Sequence, residues 1–158
     1  MAEPKVPIAA PPARGVELRF VAGDDAVMRA VADLCYETLH RPFGVSRDDR
    51  WDETDPGSLH LVAMDQEKFA GYARLLDEGR RAHVRQVVVA EPYRYRGIAS
   101  ALVSTLVDEA RRRGLRSVYL NARRPAVAMY ERLGFSVTRG PFRMGRTYLV
   151  HFRMERRI

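Results

Sequence analysis

A strand, a short turn and a long amphipathic helix follow one another without interruption over residues 87–114. The stretch begins with three consecutive valines, Val87 to Val89, and β-branched residues of this kind favour strands. A proline-containing turn follows, and from Ile98 onward apolar residues recur at the spacing of a helix with one buried face. Those residues are Leu102, Val103, Leu106, Val107 and Ala110. The stretch therefore predicts a βα unit whose helix packs against a sheet.

The loop between this strand and this helix reads RYRGIA, residues 94–99. The first backbone N–H groups of a helix have no partner within the helix and carry a partial positive charge, so they bind anionic oxygens. Gly97 allows the backbone to approach such a group closely because it has no Cβ. The pattern is neither a G-x-x-x-x-G-K-S/T loop nor a three-glycine dinucleotide fingerprint. We therefore expect a phosphate group of another kind of ligand at this loop.

Two motifs carry a family resemblance. Arg94, Gly97 and Ala99 form the pattern R-x-x-G-x-A, and Tyr130 begins a Y-x-x-x-G-F motif that ends at Phe135. In this order they resemble the GNAT superfamily of N-acyltransferases, whose Q/R-x-x-G-x-G/A loop binds the pyrophosphate of acyl-CoA. The resemblance extends from about residue 16 to the end, and the pattern looks most like the ElaA-like branch.

The resemblance implies that acetyl-CoA is the co-substrate. The residues expected to hold it are Val87, Val88, Val89, Arg94, Tyr95, Arg96, Gly97, Ile98, Ala99 and Ser100. It also implies that the fourth and fifth strands splay apart and that the pantetheine arm pairs with free backbone groups in the gap. The expected function is N-acetylation of a primary amine of a small molecule, by direct attack within a ternary complex. Two alternatives stay open: a longer acyl donor, as in N-acyl amino acid synthases, and a non-catalytic CoA-binding regulatory module.

The periodicity predicts strands interspersed with helices, and the resemblance implies that they form a mixed α/β (α+β) fold with a mostly antiparallel sheet of about seven strands flanked by helices. Strands are expected at residues 16–21, 59–64, 69–76, 83–89, 117–121, 135–137 and 148–153. Asp24 or Asp25 is expected to cap a first helix, and a last helix is expected at residues 126–133. Residues 1–15 are proline-rich and predict a flexible leader before one domain, residues 16–158, the GNAT N-acetyltransferase domain of the resemblance.

Charge and composition indicate which classes of partner to expect. The net charge is +7, from 27 Lys and Arg against 20 Asp and Glu. No basic strand is interleaved with aromatic residues, so we expect no nucleic-acid partner. No apolar run approaches the ~18 residues of a membrane span, and the lone Cys35 and scattered histidines have no metal-ligand spacing. We expect a cytoplasmic protein with no membrane contact and no metal; a homodimer is possible, and the sequence leaves the oligomeric state open.

The resemblance places Tyr130 where a general acid would protonate the departing thiolate. His83, on the strand that leads into the loop, is a candidate general base, with an acid from the long polar loop or a water chain as alternatives. Strict period-2 alternation of this strand would put one set of residues on a single face. That set is His83, Arg85, Val87 and Val89.

The polar loop before the second strand concentrates acidic residues around the one tryptophan of an otherwise basic chain. Trp51, Asp52 and Glu53 are therefore candidates to bind a protonated amine, and a merely solvated loop is the alternative. Asn121, at the end of the predicted fifth strand, is a further candidate for acceptor contact.

Overall fold

The computed structural model describes residues 15–47, 57–145 and 147–158, which form one sheet and the helices packed on it. The strands are β1 (Val16–Val21), β2 (Leu59–Asp65), β3 (Lys68–Asp77), β4 (Arg81–Val89), β5 (Ser117–Arg123), β6 (Ser136–Met144) and β7 (Leu149–Arg157). The helices are α1 (Met28–Leu39), α2 (Ile98–Arg112) and α3 (Val127–Arg132). Short 3₁₀ turns lie at Arg41–Phe43, Glu91–Tyr93 and Arg124–Ala126.

The seven strands of the described chain lie in the order β1-β2-β3-β4-β5-β7-β6. All neighbours are antiparallel except β4 and β5, which are parallel. Their pairing covers only three positions, from Arg81 opposite Ser117 to His83 opposite Tyr119. Beyond His83 the two strands separate, so the predicted fold class and the predicted splay between the fourth and fifth strands are both confirmed.

Each face of the sheet has its own core. On one face, α2 buries Leu102 and Leu106 against strand residues that include Leu61 and Leu75. On the other face, α1 buries Val31 and Cys35 against a second cluster. The strand residues of that cluster are Val62, Met64, Tyr72 and Val88. Both faces are covered because α1 and α2 each carry one apolar stripe that must leave water.

A glycine in β3 sets how closely α2 approaches the sheet. A Cβ at Gly71 would lie 3.0 Å from the carbonyl oxygen of Val88 and 3.3 Å from Cγ2 of Ile98. Ile98 is the first residue of α2 and is buried. The absence of a side chain at Gly71 therefore lets the start of α2 lie directly on the end of β4.

The predicted strict alternation along β4 is wrong, because a β-bulge interrupts the strand. Tyr72 lies opposite Val88 whereas Arg74 lies opposite Arg85, so two residues of β4 face one residue of β3. Gln86 has a φ of 55° at this point. A bulge reverses the side-chain pattern after it. His83 and Arg85 consequently lie on the α1 face, while Val87 and Val89 pack against the α2 core.

Other boundaries differ from the sequence prediction in smaller ways. Both β6 and β7 are longer than predicted. β6 was underestimated because it is almost wholly exposed and has no apolar alternation to reveal it. α1 begins at Met28, and Asp25 accepts a hydrogen bond from the Val27 N–H at 2.9 Å, in a turn before the helix. The predicted leader falls, except for its last residue, outside the described residues. No helix within the described ranges is long and apolar enough to cross a membrane.

Candidate active site

The candidate site is the gap that opens between β4 and β5 beyond His83. Its floor is the point where the strands still pair, and its open end leads to the RYRGIA loop and the start of α2. Val87 and Val89 anchor their side chains in the α2 core, and Val88 anchors in the α1 core. Over this length, the backbone groups of β4 that point toward β5 have no strand partner among the residues that the structure describes. An extended ligand arm can pair with such groups.

The loop at the open end has the geometry of an anion site. Gly97 has a φ of 77° and immediately precedes α2, and no side chain caps the first turn of this helix. A Cβ added at Gly97 would meet no described atom within 4 Å, so the side-chain position next to the helix start is open. The first N–H groups of the helix belong to Ile98, Ala99 and Ser100. They have no acceptor within the helix because no helical turn precedes them. The structure thus brings these predicted loop residues together around one space.

Arginine and tyrosine side chains frame this loop. Arg94 donates from Nε to the carbonyl oxygen of Val89 at 3.0 Å, which ties the loop to the end of β4. Arg96 lies over the ring of Tyr93, 5.7 Å from its centroid, and the Tyr93 hydroxyl donates to Asp65 at 2.9 Å. Tyr95 is fully exposed and has a φ of 63°. The guanidinium of Arg96 and the ring of Tyr95 therefore lie at the surface, beside the helix start.

Tyr130 lies in α3, which follows the end of β5 on the far side of the gap. Its side chain is 6% exposed and meets Phe135 edge to face, with 6.0 Å between ring centroids. Burial raises the pKa of Tyr130 to about 12. The phenol consequently stays protonated over the whole neutral range, as a hydrogen-bond donor must.

His83 is the last residue of β4 that pairs with β5. Its ring stacks on Tyr119 with 4.3 Å between centroids. Burial and the positive charges of nearby arginines lower the pKa of His83 to about 4. Those arginines are Arg85, Arg153, Arg74 and Arg81. At neutral pH the ring is therefore uncharged and can accept a proton, although it holds that proton weakly.

Sequence reasoning placed Arg85 on the same face as His83 but missed the other arginines near this histidine, Arg74, Arg81 and Arg153. Arg74 is 2% exposed in the middle of an otherwise apolar strand, and Arg85 lies directly opposite it on β4. Arg153, on β7, lies over the Tyr119 ring at 4.9 Å and donates from Nε to Oδ1 of Asn121 at 3.5 Å. The available signal was a charged residue inside a buried apolar run, as in GYARLL. The structure thus places Asn121, predicted from sequence, next to Arg153, which was not predicted.

A buried polar pair lies on the same face, further from the gap. His60 and Tyr72 are both buried, and Nδ1 of His60 is 2.6 Å from the Tyr72 hydroxyl. Burial, with a smaller effect of Arg74, lowers the pKa of His60. This pair satisfies its own polar atoms and fixes the neighbouring β2 and β3 strands.

The other predicted acceptor residues cannot be placed. Trp51, Asp52 and Glu53 lie outside the described residues, so their candidacy stays a prediction. Within the ranges that are described, no group of three or more His, Cys, Asp and Glu side chains could hold a metal ion.

Comparison with known proteins agrees with this geometry. A model of the acetyltransferase (GNAT) family matches residues 27–135, more than half of the chain. The chain therefore belongs to the GNAT acetyltransferase family, and it is an acyl-CoA-dependent acetyltransferase. The predicted family resemblance is confirmed.

Individual relatives add detail. The glucosamine 6-phosphate N-acetyltransferase of Trypanosoma brucei brucei is 32% identical over 127 residues, which cover 80% of this chain and 73% of that protein. Escherichia coli ElaA shares the fold with a TM-score of 0.70 and 18% identity, over 89% of this chain and 99% of its own. A GNAT family acetyltransferase from Elizabethkingia anophelis, solved with acetyl-CoA bound, has a TM-score of 0.70 and 12% identity, over 92% and 99%.

Proposed function

We propose that this protein transfers the acetyl group of acetyl-CoA to a primary amine of a small molecule, by direct attack of the amine within a ternary complex. The observation that carries the proposal is the gap between β4 and β5, which opens beside an uncapped helix start. A strand edge of this kind accepts the amide-containing pantetheine arm, and the helix start accepts the pyrophosphate. The pantetheine arm and the pyrophosphate of one donor molecule would thus bind at neighbouring sites.

Different residues of the loop have different roles in binding the donor. Backbone N–H groups from Gly97 to Ser100 bind the pyrophosphate oxygens, and Arg96 and the backbone of Tyr95 lie beside them. Arg94 keeps the loop fixed to β4 through its bond to Val89. Because fork-shaped guanidiniums suit phosphate oxygens, the arginine-rich loop supports a donor with several phosphates.

The reaction requires an uncharged amine next to the thioester carbon. The amine attacks, negative charge develops on the thioester oxygen, and the C–S bond breaks to release CoA. A backbone N–H of Val87 to Val89 in the gap is suited to stabilise that oxygen, since the donor is fixed before charge develops. The amine approaches from the α1 face, where His83 and Asn121 lie.

Tyr130 is proposed to interact with the sulfur of the departing CoA. A phenol whose pKa is about 12 transfers its proton poorly to a thiolate with a pKa of about 8.5. The phenol remains protonated, however, so it can donate a hydrogen bond that stabilises the thiolate as it forms. We therefore assign Tyr130 the role of donor to the sulfur, with the final proton coming from solvent.

His83 is proposed to take the proton that the amine loses and to pass it on. The uncharged ring has a nitrogen that can accept the proton, but burial and the surrounding arginines disfavour the imidazolium that results. The proton must therefore move to water or to a carboxylate of the acidic loop at once. Trp51, Asp52 and Glu53, which lie outside the described residues, are proposed to attract the protonated amine because of their charge and aromatic character.

The test combines binding and turnover. Acetyl-CoA should raise the thermal unfolding temperature, since a ligand at 100 times its dissociation constant adds about 2.7 kcal/mol to stability. Gly97→Glu should abolish the shift because its carboxylate would occupy the phosphate position. Gly145→Glu is the matched control: Gly145 also has a positive φ, 72°, and a Cβ added there would meet no atom within 4 Å, but it lies in the β6–β7 hairpin.

The outcomes separate the alternatives. Absence of a shift in the wild type would contradict the proposal. A shift without CoA release over an amine panel would favour the regulatory module, and a higher kcat/KM with medium-chain acyl-CoA than with acetyl-CoA would favour the longer acyl donor.

A further inference from the structure

We propose that Arg156 is a positioning residue for the reaction: its guanidinium holds the end of α3 and thereby fixes Tyr130 where its hydroxyl meets the departing sulfur. The inference rests on the proposed function, in which Tyr130 donates a hydrogen bond to that sulfur. Arg156 is not proposed to contact the donor or the acceptor, so its effect on the reaction passes through α3.

The first observation is the contact between Arg156 and the end of α3. Nη1 of Arg156 donates to the carbonyl oxygen of Leu133 at 3.0 Å, in a buried hydrogen bond. Leu133 directly follows the last residue of α3, and carbonyls at a helix end have no donor within the helix. A cationic donor suits this place because it also interacts favourably with the partial negative charge of the helix end.

The second observation is the place of Tyr130 within the turn that Arg156 holds. The carbonyl oxygen of Tyr130 accepts hydrogen bonds from the N–H groups of Leu133 and Phe135, each at 3.0 Å. α3 has only six residues, so its own hydrogen bonds are too few to keep it in place. The backbone of Tyr130 is therefore tied to the same terminal turn that the guanidinium fixes.

The third observation is the space that Gly134 leaves for the guanidinium. Gly134 has a φ of 88°, and a Cβ added there would lie 3.3 Å from Nε and 3.4 Å from Cδ of Arg156. The backbone conformation and the close approach of Arg156 both require a residue without a side chain. Arg156 consequently lies directly against the turn after α3.

The fourth observation is that Arg156 itself is firmly seated on the sheet. It is 8% exposed and lies on β7 opposite Val118 of β5, which in turn pairs with Ala82 of β4. Burial is the main cause that lowers the pKa of Arg156, with Arg111 adding to the effect and Asp108 opposing it. The guanidinium thus connects α3 to the closed end of the gap, where the strands pair without a donor.

The first experiment removes the donor group. Arg156→Met should lower kcat by about 10-fold, because displacement of a reacting group by about 1 Å costs up to about 100-fold. KM for acetyl-CoA should change little, since the donor loop lies elsewhere. Arg156→Lys should recover part of kcat because an ammonium can also donate to the carbonyl. Arg157→Met is the matched control, as Arg157 is the next residue of β7 but is exposed.

A double-mutant cycle separates positioning from a general loss of stability. If Arg156 acts through the Tyr130 hydroxyl, Arg156→Met should lower kcat in the wild type and lower it little further in Tyr130→Phe. Losses that multiply independently would overturn the inference. Thermal unfolding verifies that each variant is folded at the assay temperature.

Gly134→Ala tests the same contact if Arg156→Met does not fold. The added Cβ would push against Arg156, so kcat should fall and the fall should again depend on Tyr130. Gly114→Ala is its matched control: Gly114 has a similar φ, 78°, at the end of α2, but a Cβ there would meet no described atom within 4 Å. Equal kcat values for the two alanine variants would overturn the inference.

The outcomes distinguish this inference from the proposed function. Absence of both CoA release and an acetyl-CoA thermal shift in the wild type would overturn both. An unchanged kcat in Tyr130→Phe would remove the role of Tyr130 and the inference with it, while acetyl transfer stands. A loss of kcat in Tyr130→Phe together with full kcat in folded Arg156→Met would overturn the inference alone.

Discussion

Tyr130 is both a packed core residue and the proposed hydrogen-bond donor to the leaving sulfur. Its ring is part of the α2-side core and meets Phe135, yet its hydroxyl belongs to the residue proposed to face the leaving sulfur. Burial is the cause of its high pKa, so the same packing that stabilises the fold also keeps the phenol protonated.

Replacement of Tyr130 by Phe should therefore lower kcat by about 100-fold, the lower range for a positioned proton or hydrogen-bond donor, with KM for acetyl-CoA little changed. Steady-state CoA release measures both. Tyr148→Phe is the control, since Tyr148 is exposed in the β6–β7 hairpin. An unchanged kcat would remove Tyr130 from the mechanism.

His83 gives a prediction about stability. Its pKa is about 4 in the folded protein and about 6.5 when unfolded, so below about pH 6.5 the unfolded chain binds a proton that the folded chain does not. The stabilising contribution is complete above pH 6.5 and is lost as the pH falls toward 4. Urea unfolding of the wild type and of His83→Gln should therefore diverge in this window. Parallel pH curves for the two proteins would contradict the assigned environment.

At the scale of elements, the contact between α2 and the end of β4 determines where the donor loop lies. Gly71 should tolerate no side chain there, because a Cβ would lie 3.0 Å from the Val88 carbonyl oxygen. Gly71→Ala should destabilise the protein and Gly71→Val should destabilise it further, by about 1–3 kcal/mol for overpacking. Weaker acetyl-CoA binding should accompany the loss, since Ile98 is the neighbour displaced.

Urea unfolding measures the stability and calorimetry measures the acetyl-CoA affinity. Ser136→Val, on exposed β6, is the control for adding an apolar side chain. If Gly71→Val unfolds at the wild-type urea concentration, α2 is less tightly seated than the structure indicates.

The sequence predicted elements with strong periodicity and failed where periodicity is absent. α2 was predicted from its apolar stripe, and the strand before it from its valines. The bulge at Gln86 was not predicted, because an inserted residue leaves the composition of a strand unchanged while it reverses the faces. The extent of β6 was missed since its residues are mostly exposed and carry no apolar pattern.

At the scale of the whole molecule, the proposed donor loop could be recognised in the sequence, whereas the surroundings of His83 could not. The RYRGIA loop is continuous in sequence, so its motif could be recognised from neighbouring residues. The arginines around His83 come from β3, β4 and β7, which are far apart in the chain and meet only through the sheet. Arg153 and Arg85 therefore could be associated only after the strand order was known.

The three-position pairing of β4 with β5 also predicts how the backbone exchanges its amide hydrogens. In the free protein, the peptide that contains Val87 to Val89 should exchange faster than a peptide from the fully paired β2. Saturating acetyl-CoA should slow the first peptide and leave the second unchanged, as measured by mass spectrometry. Equal exchange with and without acetyl-CoA would contradict pairing of the donor with this strand.

On the proposed placement of the donor, the pantetheine arm becomes part of the sheet while it is bound. When the pantetheine arm lies between β4 and β5, the sheet is continuous from β1 to β6, and when CoA leaves, the sheet divides again beyond His83. Every turnover would remove and rebuild the middle of the molecule's own hydrogen-bond network. We therefore expect the rate of CoA release to depend on the rigidity of the fold, so that a protein stiffened across this gap would lose turnover.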